Sequence, residues 1–167
     1  MFNKLKIADY ATLMNLVCGS VVIYFAFKGY LLYASIAILL GVFFDFIDGK
    51  IARFTKQESD LGAELDSFSD LVTFGLAPAF LMINLYPSNN YILVFSFLLP
   101  ICGAMRLARF NINRKILPGY FIGVPITVNG IIFPIVYFAS PYSLIALVLI
   151  ILMSSLMISS VKIKKVF

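Results

Sequence analysis

Four aspartates, Asp45, Asp48, Asp66 and Asp70, are the residues of this chain best equipped for chemistry. They lie in the string D-F-I-D-G-K-I-A-R, an eight-residue spacer, and then G-A-E-L-D-S-F-S-D. The spacing is i, i+3 in the first pair and i, i+4 in the second, so each pair shares one face of its own helix. An ionised carboxylate at a bilayer centre costs roughly 2.5–3.5 kcal/mol even on a lenient insertion scale. Four of them persist in an apolar chain only near headgroups, in water or around cations. Two such faces turned together make a set of hard oxygen ligands suited to Mg²⁺, Mn²⁺ or Ca²⁺.

The neighbours of these carboxylates extend the pattern. Gly49, Ala52 and Arg53 return to the side of Asp45, and Gly62 shares a stripe with Asp66 and Asp70. Small residues let a ligand approach the backbone, and one guanidinium offers bidentate contacts to a phosphate. Together they suit a phosphate-bearing substrate, although small residues also serve plain helix packing in membranes. Histidine is absent, which removes the commonest general base and every Ser-His or Cys-His pair. Acid–base work therefore falls to a carboxylate, Lys, Tyr or Cys. Glu58, Asp60 and Glu64 are read as solvated or turned elsewhere, and Cys18 and Cys102 as packing residues.

These side chains need membrane-spanning elements to position them. Hydrophobic residues make up 62% of the chain and charged residues 13%, against about 25% charged in soluble domains. Ile116 to Val161 contains no Asp, Glu, Lys or Arg, enough chain for two crossings at about 20 residues each. The apolar runs lack period-2 alternation, so helices rather than barrel strands are expected. The reading is an all-α integral membrane protein with six transmembrane helices in a single domain, 1–167. The helices run at about Asp9–Phe27, Leu31–Arg53, Gly62–Leu85, Tyr91–Phe110, Gly123–Phe138 and Ser143–Val161. A short interfacial turn, with Phe2, Leu5 and Ala8 on one face, is expected before the first.

Charge orients this bundle. Of the thirteen Lys and Arg residues, only Lys28 falls on one face of the layout. That asymmetry puts both termini and the aspartates at the cytoplasmic side of a multi-pass cell-membrane protein. Tyr30, Tyr33, Tyr86, Tyr91, Tyr137 and Tyr142 line the opposite edge as an interfacial belt. The net charge of +5 is read as topology determinants and contacts for membrane lipids, with no nucleic-acid surface.

A second constellation is G-A-M-R-L-A-R-F-N, Gly103 to Asn111, at the cytoplasmic end of the fourth helix. Arg106 and Arg109 share a face there. They either snorkel to the headgroups or turn inward to hold an anionic group of a second substrate.

The string D-x-x-D-G-x-x-A-R-x8-G-x-x-x-D-x-x-x-D is filled at every fixed position, and it resembles the signature of the CDP-alcohol phosphatidyltransferases. The resemblance implies that Asp45, Asp48 and Asp66 hold one divalent ion and that Asp70 completes a second site, with Mg²⁺ or Mn²⁺ as the metal. It implies Asp70 as general base. It implies that Asn15, Asp45, Gly49, Ala52, Arg53, Gly62 and Asp66 hold the cytidine diphosphate moiety. The first-helix string T-L-M-N-L supplies Asn15, while the family's usual upstream Pro-Asn is Ala8-Asp9 here. R-L-A-R-F-N and F-I-G-V-P-I (Phe121–Ile126) resemble the phosphatidylserine synthase branch, archaetidylserine synthases included.

The implied activity is transfer of a phosphatidyl or archaetidyl group from CDP-diacylglycerol or CDP-archaeol to L-serine. Arg106 or Arg109 would bind the serine carboxylate, and a homodimer is implied. A phosphorylated polyol acceptor, inositol phosphate or glycerol phosphate, also suits two arginines. A divalent-cation carrier is the competing class, because carboxylates within membranes mark ion pathways. Against it stand the apolar outer halves of the second and third helices, and Arg53, which repels a passing cation.

Overall fold

In the computed structural model, residues 6–55, 60–113 and 120–164 are described. Arg114, Lys115 and the first part of the expected interfacial turn, Phe2 and Leu5, lie outside them. Backbone polar groups in lipid have no water to pair with, so helices dominate. α1 (Ile7–Phe27) and α2 (Leu31–Thr55) form a hairpin closed at Gly29, whose φ of +78° a side chain would disfavour. Asp9, at the third position of α1, accepts the Lys6 N–H at 2.8 Å and so ties down the helix start.

The third span is continuous but not uniform. α3 (Asp60–Asp70) passes into a π-helical turn (Leu71–Leu76) and then α4 (Ala77–Leu85). The fourth divides at Phe97 into α5 (Asn90–Ser96) and α6 (Leu98–Asn113). Pro100 accounts for the division, since its ring and missing N–H disrupt pairing with the residue four before it. Asn89 caps α5 by accepting the N–H groups of Tyr91 and Ile92.

A 3₁₀ turn (Ile126–Val128) leads into α7 (Asn129–Ala139), and α8 (Ser143–Ile158) comes after it. Among the described residues, four helical stretches are long and apolar enough to cross a membrane: Ile7–Phe27, Leu31–Thr55, Leu61–Leu85 and Asn90–Ile112. Ile126–Ala139 and Ser143–Ile158 are apolar but shorter. The molecule is a helical membrane protein.

The expected fifth and sixth helices are therefore trimmed. Gly123 takes a φ of +76°, which turns the chain before the fifth can begin. β1 (Tyr120–Ile122) pairs antiparallel with β2 (Lys162–Lys164), Phe121 opposite Ile163, an element the apolar pattern did not announce.

Large apolar side chains occupy both the inside and the outside. Ile38, Phe74, Leu81, Met82, Phe133, Ile150 and Met157 are fully buried, while Leu39, Leu40, Phe43 and Phe46 of α2 are exposed. A water-soluble fold hides such a stripe, whereas a lipid-facing one displays it.

Candidate functional site

The two carboxylate faces meet. Asp45 and Asp48 project from α2 toward Asp66 of α3, and carboxylate oxygens of the three lie within 4.8 Å of one another. Asp70, one turn beyond Asp66, is 6% exposed, and its carboxyl lies against that of Asp45. Two carboxyl groups in contact require a proton or a cation between them. Buried oxygens of Asp48 and Asp70 have no hydrogen-bond partner. Clustered, under-satisfied hard oxygens fit a divalent cation, with Asp45, Asp48 and Asp66 as the compact triad and Asp70 beside it.

Polar groups of α1 and α3 orient this cluster. The Thr12 hydroxyl lies against both the Ala8 carbonyl and the Asp48 carboxylate, with one proton to give. Ser69, next to Asp70 in sequence and fully buried, donates to the Thr12 carbonyl at 3.0 Å. One turn further along α1, Asn15 is fully buried, and its amide nitrogen and oxygen have no hydrogen-bond partner. Its oxygen faces Gly41, where a Cβ would stand 3.1 Å away.

The remaining nucleotide-side candidates form an open shoulder. A Cβ on Gly49 would meet nothing nearer than Arg53 Nη2 at 4.0 Å. Arg53 is exposed, and its Nε donates to the Gly49 carbonyl at 2.9 Å, folding the guanidinium back along its own helix. Ala52 and Gly62 are half-buried.

The arginine pair divides. Arg106 is 5% exposed and interacts electrostatically with Asp70, Asp66 and Asp45. Its guanidinium also lies over the Phe110 ring, 5.3 Å from the centroid. Arg109, three residues on, gives Nη1 to the Ile158 carbonyl at 2.9 Å, at the end of α8. Asn111 donates to the Ser67 hydroxyl at 3.1 Å, which ties the end of α6 to α3 beside Asp66.

Thr12, Ser69, Thr73 and Asn129 escaped the motif reading. Isolated hydroxyls and amides in apolar helices carry no signature of their own. The usable signal was the shared face of Thr12 and Asn15, at i and i+3 on the first helix.

The fold and the site define a membrane-embedded enzyme with a carboxylate-lined centre. Residues 5–161 match the model of the CDP-alcohol phosphatidyltransferase family, and the chain belongs to that family. It is 42% identical over 164 residues to the CDP-diacylglycerol–serine O-phosphatidyltransferase of Methanocaldococcus jannaschii, a match covering 96% of this chain and 75% of that protein. The Bacillus subtilis protein of the same name is 40% identical, over 76% of this chain and 72% of its own length. The archaetidylserine synthase of Methanothermobacter thermautotrophicus is 35% identical, over 99% of this chain and 75% of that protein.

Proposed function

We propose that this chain transfers a phosphatidyl or archaetidyl group from a CDP-lipid to the hydroxyl of L-serine, releasing CMP. Relatives named for serine transfer, one of them for the archaetidyl product, support the acceptor. The observation that carries the reading is a guanidinium, that of Arg106, held within electrostatic reach of the carboxylate cage. An amino-acid carboxylate placed on Arg106 brings its hydroxyl toward Asp70. The cation-carrier reading gives way, because the family is one of transferases.

Asp45, Asp48 and Asp66 would hold one divalent ion, and Asp70 would complete the site of a second, Mg²⁺ or Mn²⁺ in each case. Bound there, such ions supply neutralising charge for the diphosphate and for the departing CMP. Gly49, Ala52 and Gly62 leave room for the cytidine diphosphate, and Arg53 contributes a fork for its phosphates. Asn15 offers a free amide on the same side of the bundle. Asp70 takes the hydroxyl proton as the serine oxygen bonds to the β-phosphorus and the bond from that phosphorus to CMP breaks. A carboxylate is a weak base for an alcohol, so positioning and electrostatics provide most of the acceleration. Arg106 binds the serine carboxylate, while Arg109 ties α6 to the end of α8 through the Ile158 carbonyl.

In this reading residues 1–167 are one domain crossing the cell membrane six times. Both termini and the cage face the cytoplasm, in line with the distribution of Lys and Arg. Two copies associate as a homodimer, as the family resemblance implies. The test is incubation of purified protein with a CDP-lipid, Mg²⁺ or Mn²⁺, and serine, inositol phosphate or glycerol phosphate separately. Mass spectrometry is expected to find a serine phospholipid. Product from a polyol phosphate alone would overturn the acceptor assignment.

A further inference from the structure

The π-helical turn begins at Leu71, immediately after Asp70, and its cause lies seven residues further on. In an α-helix the Phe74 carbonyl would accept the N–H of residue 78, but that residue is Pro78. Proline has no N–H, and its ring crowds the carbonyl four residues back. The chain answers by widening the turn, so that the Ala77 N–H reaches back five residues to the Val72 carbonyl. A widened turn takes up about one extra residue, a rotation of roughly 100° between the helix before it and the helix after it. α3, with Asp66 and Asp70, is thereby rotated relative to α4.

Two fully buried side chains hold this turn to other helices. Asn129, at the start of α7, donates from Nδ2 to the Phe74 carbonyl at 3.0 Å. Thr73, within the turn, donates from Oγ1 to the Asn15 carbonyl of α1 at 2.9 Å. The space for Thr73 exists because Gly19 and Gly41 lack side chains: a Cβ on either would collide with it. Losing the Asn129 bond takes from the Phe74 carbonyl a donor that Pro78 cannot supply, and losing the Thr73 bond unties the turn from α1.

We infer that Thr73 and Asn129 are positioning residues that fix the rotation of the π-helical turn, and through it the aim of Asp66 and Asp70 at Asp45 and Asp48. The inference rests on the proposed metal-binding and catalytic reading of those aspartates. Neither side chain touches substrate; each acts through the backbone of the turn.

The test uses the full-length purified protein with Thr73→Val, Thr73→Ser and Asn129→Leu. Three readouts are taken: Mn²⁺ affinity by electron paramagnetic resonance, kcat for CMP release, and thermal unfolding. Thr73→Val and Asn129→Leu are each expected to weaken Mn²⁺ binding at least tenfold and lower kcat at least tenfold. Thr73→Ser, which keeps the hydroxyl, should stay within threefold of wild type on both. Mn²⁺ affinity and kcat within threefold of wild type in Thr73→Val would overturn the inference, even if unfolding came earlier. Should Asn129→Leu fail to fold, the threonine pair decides alone. A wild type that binds no Mn²⁺ would count against the cage, while the kcat comparison would still judge the positioning role.

Discussion

Replacing Arg106 with alanine tests the acceptor assignment most directly. The guanidinium is 5% exposed, so bulk screening does little to dilute its contacts. A lost charge-assisted hydrogen bond is worth about 1.5–3 kcal/mol, which corresponds to about a 10- to 150-fold weakening. Arg106→Ala should therefore raise KM for serine by that factor, and KM for the CDP-lipid by much less. Arg106→Lys keeps a charge but loses the planar fork, so only part of the defect should be recovered. The assay is steady-state CMP release with each substrate varied in turn at saturation of the other. The same neighbours permit a different role, in which Arg106 serves Asp70, Asp66 and Asp45 only as a counter-charge. In that case kcat and metal affinity fall while KM for serine stays where it was. That pattern would refute the acceptor assignment.

Asp66→Asn keeps the size of a central cage residue and removes its charge, so turnover should vanish from a folded protein; full activity there, or in excess chelator, would sink the metal reading. Asp70→Asn should still bind cytidine nucleotide by calorimetry while product formation falls about 10²–10⁴-fold, and near-normal turnover would remove Asp70 from the role of base. Gly19→Ala drives a methyl group into Thr73 and should cost about 1–3 kcal/mol, read as earlier thermal unfolding in detergent.

The aspartate cage was legible in the sequence because helical periodicity is rigid. Spacings of three and four residues put Asp45 with Asp48, and Asp66 with Asp70, on single faces whatever surrounds them. Helix limits were equally readable where Gly29 and the Pro87–Asn90 cluster break the apolar runs. The rest depended on contacts between distant segments. Pro78 sits in a run read as one uninterrupted helix, and its consequence appears only with Asn129 opposite Phe74. Arg109 reaches Ile158, 49 residues away, a pairing that no local pattern encodes. β1 and β2 are likewise three-residue strands separated by two helices, each too short to signal itself.

The brevity of α8 bears on the surrounding lipid. Its 16 residues rise about 24 Å, against a hydrocarbon thickness of about 30 Å. In the six-span arrangement proposed above, a bilayer meeting so short a wall would thin locally, at fractions of a kcal/mol per ångström. Headgroups on that flank would then ride lower than in the open membrane, and a lipid arriving there would carry its diphosphate deeper. On that arrangement, the thickness of the membrane would enter the encounter between enzyme and lipid.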